Sequence, residues 1–320
     1  MSPGVPLVWL RRNETLAFRF GRYHLAKLVI PVLSLETPCT SLSTDIEATV
    51  ARLPELPTEC QAAVLPSHPI ETKPPRVRGW FAPVLEYCWK TGPRQLIGLR
   101  GTFADYTSKF RHEQRSLLVR KTRKFAELSG GTCEWRVFRD RDDILEFARI
   151  AASISRQTYQ AGIGIGFADL KISSDELQIG AASGSFRGYV LYLAGQPASY
   201  GFFRAQGSNL LLVHNGYDSA FGRLSPGIVL LWLVVQALFE EGRFEYLDLL
   251  WGEYRYKQLF ATDTIRVAAV LCFRNTPRNK LIVAVHCATA ALSRWMVELT
   301  RRLGISEALM RFGTRASTGH

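Results

Sequence analysis

The segment Arg223-Leu224-Ser225-Pro226-Gly227-Ile228 stands at the head of an apolar run and carries the sharpest chemical signal in the chain. It sets a cation, a hydroxyl and a glycine around what reads as a helix start. The N–H groups of a first helical turn point outward and carry about half a positive charge, which suits a pyrophosphate. A glycine there lets such a ligand approach the backbone. The same residues read equally well as the cap of a buried helix with a solvated arginine, serine taking the N-cap and proline the first helical position.

Charge placement bears on the choice. Lys+Arg 40 against Asp+Glu 28 leaves +12, and two segments hold all of it: 107–124, with seven basic residues and one acid, and 274–315, with eight and two. Each is either a solvated helix face or a surface for phosphate, nucleic acid or lipid headgroups. Other chemistries fall away. Cys39, Cys60, Cys88, Cys133, Cys272 and Cys287 form no Cys-x-x-Cys pair and have no His at finger spacing, so free thiols and no metal are expected. There is no Gly-x-Ser-x-Gly elbow, no His-Glu-x-x-His and no Gly-x-x-x-x-Gly-Lys-Ser/Thr loop, which weakens hydrolase, metalloprotease and ATPase readings. Gly162-Ile163-Gly164-Ile165-Gly166 follows a helix rather than a strand and reads as a crossing loop.

The elements that would position these residues follow from composition and periodicity. The chain has 320 residues, 47% hydrophobic and 21% charged, ordinary globular usage that allows roughly two domains. The longest uncharged runs, 188–203 and 224–239, are 16 residues, short of the roughly 18 that a spanning helix needs. The start lacks a basic stretch followed by a long apolar core, so no signal peptide and a cytoplasmic location are expected. Twelve of the 15 prolines lie at or before Pro93, so residues 1–94 read as an irregular module. Within it, 16–20 and 24–35 look like strands, 43–53 like a short capped helix, and 54–75 like a proline-punctuated connector.

Beyond Pro93 the pattern is regular. A strand at 95–99 precedes a basic helix at 110–128, with Phe110, Leu117, Leu118, Phe125 and Leu128 on one side. A strand at 133–138 and helices at 140–157 and 173–182 come next. Three strands follow at 188–194, 199–205 and 209–215, the first two joined by the tight turn Ala194-Gly195-Gln196-Pro197. The helix 228–239 is apolar on every side and must be buried. A strand at 244–251, a short helix at 254–261 and a strand at 266–273 lead to a last helix after Thr276-Pro277. It carries Leu281, Val285, Ala288, Leu292, Trp295, Leu299 and Leu303 at helical spacing, a stripe expected to cover the sheet.

In this order the elements resemble the acetyltransferase fold of the GNAT superfamily. More closely, the sequence resembles its CelD-like branch, named for a cellulose-biosynthesis protein and related to Fem peptidyltransferases. Three stretches carry the resemblance: Arg100-Gly-Thr-Phe-Ala-Asp-Tyr-Thr-Ser-Lys-Phe-Arg111 running into the basic helix, Asn215-Gly-Tyr-Asp-Ser-Ala-Phe-Gly-Arg-Leu-Ser-Pro-Gly227, and Tyr246-Leu-Asp-Leu-Leu-Trp-Gly-Glu-Tyr-Arg-Tyr-Lys-Gln-Leu-Phe260. The resemblance implies an α/β (α+β) fold with a mixed, mostly antiparallel sheet flanked by helices. It divides the chain into a proline-rich module at 1–94, in place of the fuller half of tandem members, an acyltransferase domain at 95–275, and a C-terminal amphipathic helix and tail at 276–320.

The resemblance also implies acyl-CoA as donor and an amine or hydroxyl acceptor, a small molecule or a saccharide, in exopolysaccharide or cell-envelope biosynthesis. Residues 209–215 would pair with the pantetheine arm and Arg223, Leu224, Ser225, Pro226, Gly227 and Ile228 would hold the pyrophosphate. Lys257 resembles the Fem-type lysine that stabilises the developing oxyanion, and Tyr256 would protonate the thiolate. Asp248 would position the acceptor or take its proton, with His214 a second base. An alternative implied by the Fem relatives is an aminoacyl-tRNA donor, with the basic helix on tRNA phosphates. Another is a non-catalytic scaffold for a polysaccharide synthase, touching the inner membrane face through 277–303 with Arg294, Arg301 and Arg302 near anionic headgroups. DNA is not an expected partner.

Overall fold

The computed structural model describes residues 6–20, 23–157, 166–170 and 172–302, and the chain forms two compact units. One comprises 1–91 with 267–320, the other 92–266. The first unit begins with β1 (Trp9–Phe20) and β2 (Tyr23–Leu35), an antiparallel pair in register from Trp9↔Leu35 to Phe20↔Tyr23. Asp45 caps the short α1 (Ile46–Val50) by accepting the N–H groups of Glu47 and Ala48.

The proline-punctuated connector holds a strand that its composition concealed, β3 (Ala62–Pro69). It lies parallel to β2, and Ala62, Ala63, Val64 and Leu65 are fully buried. Its register to the last strand shifts between Leu65 and His68, so Pro66 sits at a bulge, where no ladder N–H is required. β4 (Val77–Arg78) pairs with the start of β5 (Val84–Gly98), whose later residues belong to the second unit.

The second unit continues with α2 (Phe103–Ser108), a helix not expected from the sequence, and α3 (His112–Leu128), the expected basic helix starting two residues after Phe110. Of its expected apolar side, Phe110, Leu118 and Phe125 are buried, but Leu117 and Leu128 face solvent. β6 (Glu134–Phe138), α4 (Ile144–Arg156) and α5 (Ser174–Ala182) follow. β7 (Phe186–Leu193) and β8 (Gln196–Gln206) form the expected hairpin. Ala194 and Gly195, both at positive φ, make its two-residue turn. β9 (Asn209–Tyr217) runs antiparallel to β8.

The apolar helix is α6 (Pro226–Glu241), buried at Val229, Leu230, Leu231, Trp232, Val234, Val235 and Leu238 and closed by a left-handed Gly242. β10 (Tyr246–Trp251) inserts between β5 and β9, antiparallel to the first and parallel to the second. The short α7 (Arg255–Phe260) follows. The sheet of this unit therefore runs β5-β10-β9-β8-β7-β6, the mixed, mostly antiparallel sheet expected. Side-chain alternation along β7 and β8 divides its two faces. Tyr189, Leu191 and Phe203 pack with α3, α6 and α7, while Val190, Tyr200 and Phe202 pack with α4 and α5.

β11 (Asp263–Arg274) runs from the second unit into the first, where it pairs antiparallel with β3. The last helix, α8 (Pro277–Arg302), belongs to the first unit with the N-terminal strands, rather than forming a separate segment. It buries Val283 against Leu16, Ile30 and Leu271, with Ile282 and Cys287 beside it, and His286 meets the Tyr87 hydroxyl. That choice of face turns the expected stripe outward: Leu281, Val285, Leu292 and Trp295 are exposed. The stripe does not cover the sheet. No helix among the described residues is long and apolar enough to cross a membrane.

Candidate active site

The parallel ladder between β9 and β10 is three residues long, Asn209↔Tyr246 to Leu211↔Asp248. The cause lies in the second half of β10. Leu250 has φ 62, a left-handed conformation costly for a branched side chain, and Gly252 has φ 120. The register to β5 shifts between Asp248 and Trp251, so β10 bulges just where β9 continues toward Tyr217. The two strands therefore part beyond Leu211 and Asp248.

Asp248 holds the bulge. It is 1% exposed; its Oδ2 accepts from Arg94 Nε at 2.6 Å and its Oδ1 from the Leu250 N–H at 2.8 Å. Burial pushes its carboxyl up against the opposing pull of Arg94. Both oxygens are engaged, so the geometry makes Asp248 a clamp on Arg94 and the turn rather than an open base.

The bulge delivers the chain into α7, whose last turn is tied down from α2 and the residues after it. Tyr106 donates its hydroxyl to the Phe260 carbonyl at 2.8 Å. Lys109 donates to the same carbonyl and to that of Ala261 at 2.6 Å. Partial burial of the Lys109 ammonium lowers its pKa to about 8, although the residue as a whole stays accessible to water, and Asp263 opposes the shift. Cations at a helix C-terminus are favourable because the last carbonyls there lack partners.

Lys257 and Tyr256 are presented by this helix. Lys257 is 7% exposed; its ammonium donates to the Trp251 carbonyl at 2.7 Å and lies 5.4 Å from the Tyr254 ring centre. Tyr256 hydrogen-bonds the Asn215 side chain on β9, and burial pushes its phenol up to about 12. It therefore stays protonated throughout the neutral range. Tyr256, Lys257 and Asp248 are brought together around the bulge.

His214 is placed differently. Its Nδ1 is 2.8 Å from the Tyr200 hydroxyl and its ring stacks on Tyr200, with Phe167 edge-on. That is the face covered by α4, whereas Asn215 meets Tyr256 on the other side, as alternation along a strand requires.

The start of α6 lies just past the C-terminal end of β9, the end that carries Asn215. Asp218 caps a 3-10 turn (Ser219–Leu224), and Ser225 follows at φ 55, ψ 50. Serine occupies the N-cap as expected, but its side chain makes no capping bond. Its hydroxyl accepts instead from Lys121 of the basic helix α3, Nζ to Oγ 2.6 Å. Arg223 is exposed, Leu224, Gly227 and Ile228 are half-buried, and Pro226 is buried. The basic helix and the helix start, separate signals in the sequence, thus meet through one lysine. A position built as Cβ on Gly227 would sit 3.8 Å from both Ser199 Oγ and the Tyr217 ring, so the helix start abuts the strand that Tyr256 reaches.

A cleft of about 390 Å³ opens beside this turn, lined among others by Arg149, Ser153, Gln157, Gln196, Asp218 and Phe221. Sequence reasoning missed Lys121, Arg94 and Asn215, because each acts through a partner more than 100 positions away or through a neighbouring element. The glycine-rich loop falls at 162–165 outside the described residues, as do Leu303 and the chain beyond it. Among the described residues no disulfide links the six cysteines, and no cluster of His, Cys, Asp and Glu is suited to a metal.

Residues 112–258, within the second unit, match the family model described as acetyltransferase (GNAT) domain. That match covers under half of the chain, and with the sheet order described above it gives the second unit a GNAT-like fold. Among solved structures the chain is similar to FemX, with 11% identity, 86% of this chain and 90% of that one covered, and a TM-score of 0.53. Two others are L-PGS from Bacillus licheniformis (10%, 80% and 84%, 0.41) and a conserved protein of unknown function from Bacteroides thetaiotaomicron (10%, 59% and 62%, 0.43). The chain thus spans under two thirds of the Bacteroides protein. At these identities the FemX likeness speaks for the fold. No curated protein matches the sequence.

Proposed function

We propose that the second unit transfers an acyl group from acyl-CoA to an amine or hydroxyl acceptor, as a CelD-like member of the superfamily. One observation carries this: a helix start furnished with Lys121 and a protonated phenol stand at the same end of a strand whose parallel partner has bulged away. The donor diphosphate lies on the first-turn amides of α6 with Lys121 and Arg223 beside it. The pantetheine arm follows β9 past Leu211. The acceptor lone pair attacks the thioester carbonyl carbon; Lys257 offsets the charge that develops on its oxygen. As the C–S bond breaks, the Tyr256 hydroxyl gives its proton to the thiolate. With Asp248 held by Arg94 and His214 turned to the other face of β9, the acceptor proton leaves to solvent.

The test is titration of CoA by calorimetry on wild type and Lys121→Met, followed by thiol release with candidate amines. A lost charge-assisted contact of about 1.5–3 kcal/mol weakens CoA roughly 10- to 150-fold. Absence of CoA binding by wild type overturns the reading. A second reading, aminoacyl-tRNA as donor, draws support from the FemX likeness across most of the chain. It requires that tRNA, and not CoA, raise the melting temperature.

A further inference from the structure

The face that α8 turns away from its own unit is apolar and continues into a neighbouring loop. Leu281 is 64% exposed and Trp295 59%, with Val285 and Leu292 between them at helical spacing. At 79–83, Phe81 stands 94% exposed at the loop tip with Trp80 beside it. Exposure here is built in. Asn275, just before α8, ties the loop: its Nδ2 is 3.1 Å from the Gly79 carbonyl and 3.0 Å from that of Trp80, and it reaches the Ala82 carbonyl too. Lys280 sits over both rings, its Nζ 5.5 Å from the Trp80 centre and 5.6 Å from that of Phe81.

The charges around this surface are predominantly basic. From 274 to 302 the chain carries Arg274, Arg278, Lys280, Arg294, Arg301 and Arg302 against a single acid, Glu298. At about 100° per residue, Arg278 and Lys280 fall on opposite flanks of the stripe. We infer that this surface docks on an anionic lipid bilayer, with α8 lying in the headgroup plane. An apolar stripe with Trp and Phe, bordered by cations, is the composition that inserts partway into the headgroup boundary. Lys280 lays its stem along the two rings and keeps its ammonium at headgroup level. A second copy of the chain is a poorer occupant, since it would bring the same cations together with one carboxylate, Glu298, against six cations between 274 and 302. An anionic bilayer supplies both the apolar medium and the missing charge. This docking is independent of the transfer site, which lies in the other unit.

The experiment is flotation of the full chain with phosphatidylcholine vesicles, with and without phosphatidylglycerol, at low and high salt. Wild type is expected to float with the anionic vesicles and to be released by salt, because exposed charges are screened. Phe81→Asp and Trp295→Asp should abolish flotation. The double variant Arg278→Glu with Lys280→Glu removes two basic contacts and should lower partition at least about 30-fold, the equivalent of about 2 kcal/mol. Phe81 packs on little, so its variant should keep the wild-type melting temperature, and the charge variant provides an independent reading. Failure of wild type to float overturns the inference, as does flotation that all three variants retain. So does a wild-type dimer, measured by sedimentation without lipid, that Trp295→Asp dissociates.

Discussion

Replacing Asp248 by alanine should destabilise the second unit severely, and the structure sets the size of the effect. The change leaves the Arg94 guanidinium buried with its ion-pair partner gone; the side chains of the two residues are 7% and 1% exposed. Breaking a buried pair from one side costs about 3–5 kcal/mol. Loss of the Leu250 N–H acceptor adds about 1 kcal/mol. For a unit of this size each kcal/mol moves the melting temperature by roughly 2–4 °C, so a drop of about 8–24 °C is expected. The assay is a double-mutant cycle by urea unfolding with Arg94→Met, Asp248→Leu and the pair together. The pair should recover most of what Asp248→Leu alone loses, since no charge is then stranded. A cost below about 1 kcal/mol for Asp248→Ala, or strictly additive single changes, would refute the buried clamp.

Other expectations rest on the same geometry. Lys257→Ala should abolish acyl transfer while leaving CoA affinity nearly unchanged; transfer at the wild-type rate would remove the lysine from the mechanism. The phenols of Tyr87, Tyr200 and Tyr256 are each pushed up to about 12 by burial. The unfolded chain gives up these protons first, near pH 10, so stability should fall from about pH 10 toward 12, read by melting curves alongside tyrosinate absorbance. Lys109 works in the opposite sense: its pKa is lowered from 10.5 to about 8. Wild type should therefore gain stability relative to Lys109→Met as pH rises from 8 to 10.5. A Cβ on Gly188 would stand 2.3 Å from the ring of fully buried Phe147. Gly188→Ala should cost about 1–3 kcal/mol by overpacking, measurable by denaturant midpoint.

Periodicity made much of the second unit legible. The all-round apolar α6, its proline at the first helical position and the Ala194-Gly195 turn are local features, written in consecutive residues. What periodicity could not supply was pairing at a distance. β3 hid among prolines because its bulge at Pro66 depends on β11, some 200 residues later. Lys121 was one cation among seven until the fold set it on Ser225. In α8 two apolar faces compete, and the burial of Val283 with the His286–Tyr87 contact decides between them; sequence spacing favoured the other. Asp248 had two open roles in the sequence, and the position of Arg94 within β5 gives it a third, that of an ion-pair partner.

The brevity of the β9–β10 ladder has a consequence for how this protein tolerates change. A guest lying along β9 would be read by main-chain amides and carbonyls, which every amino acid except proline supplies alike. Side chains there can drift in evolution without erasing recognition of the guest. Selection would then fall on whatever keeps the gap open, namely the unusual backbone at Leu250 and Gly252 and the carboxylate beneath it. In distant descendants of this chain, the shape of that kink should outlast the identity of the residues that line the groove.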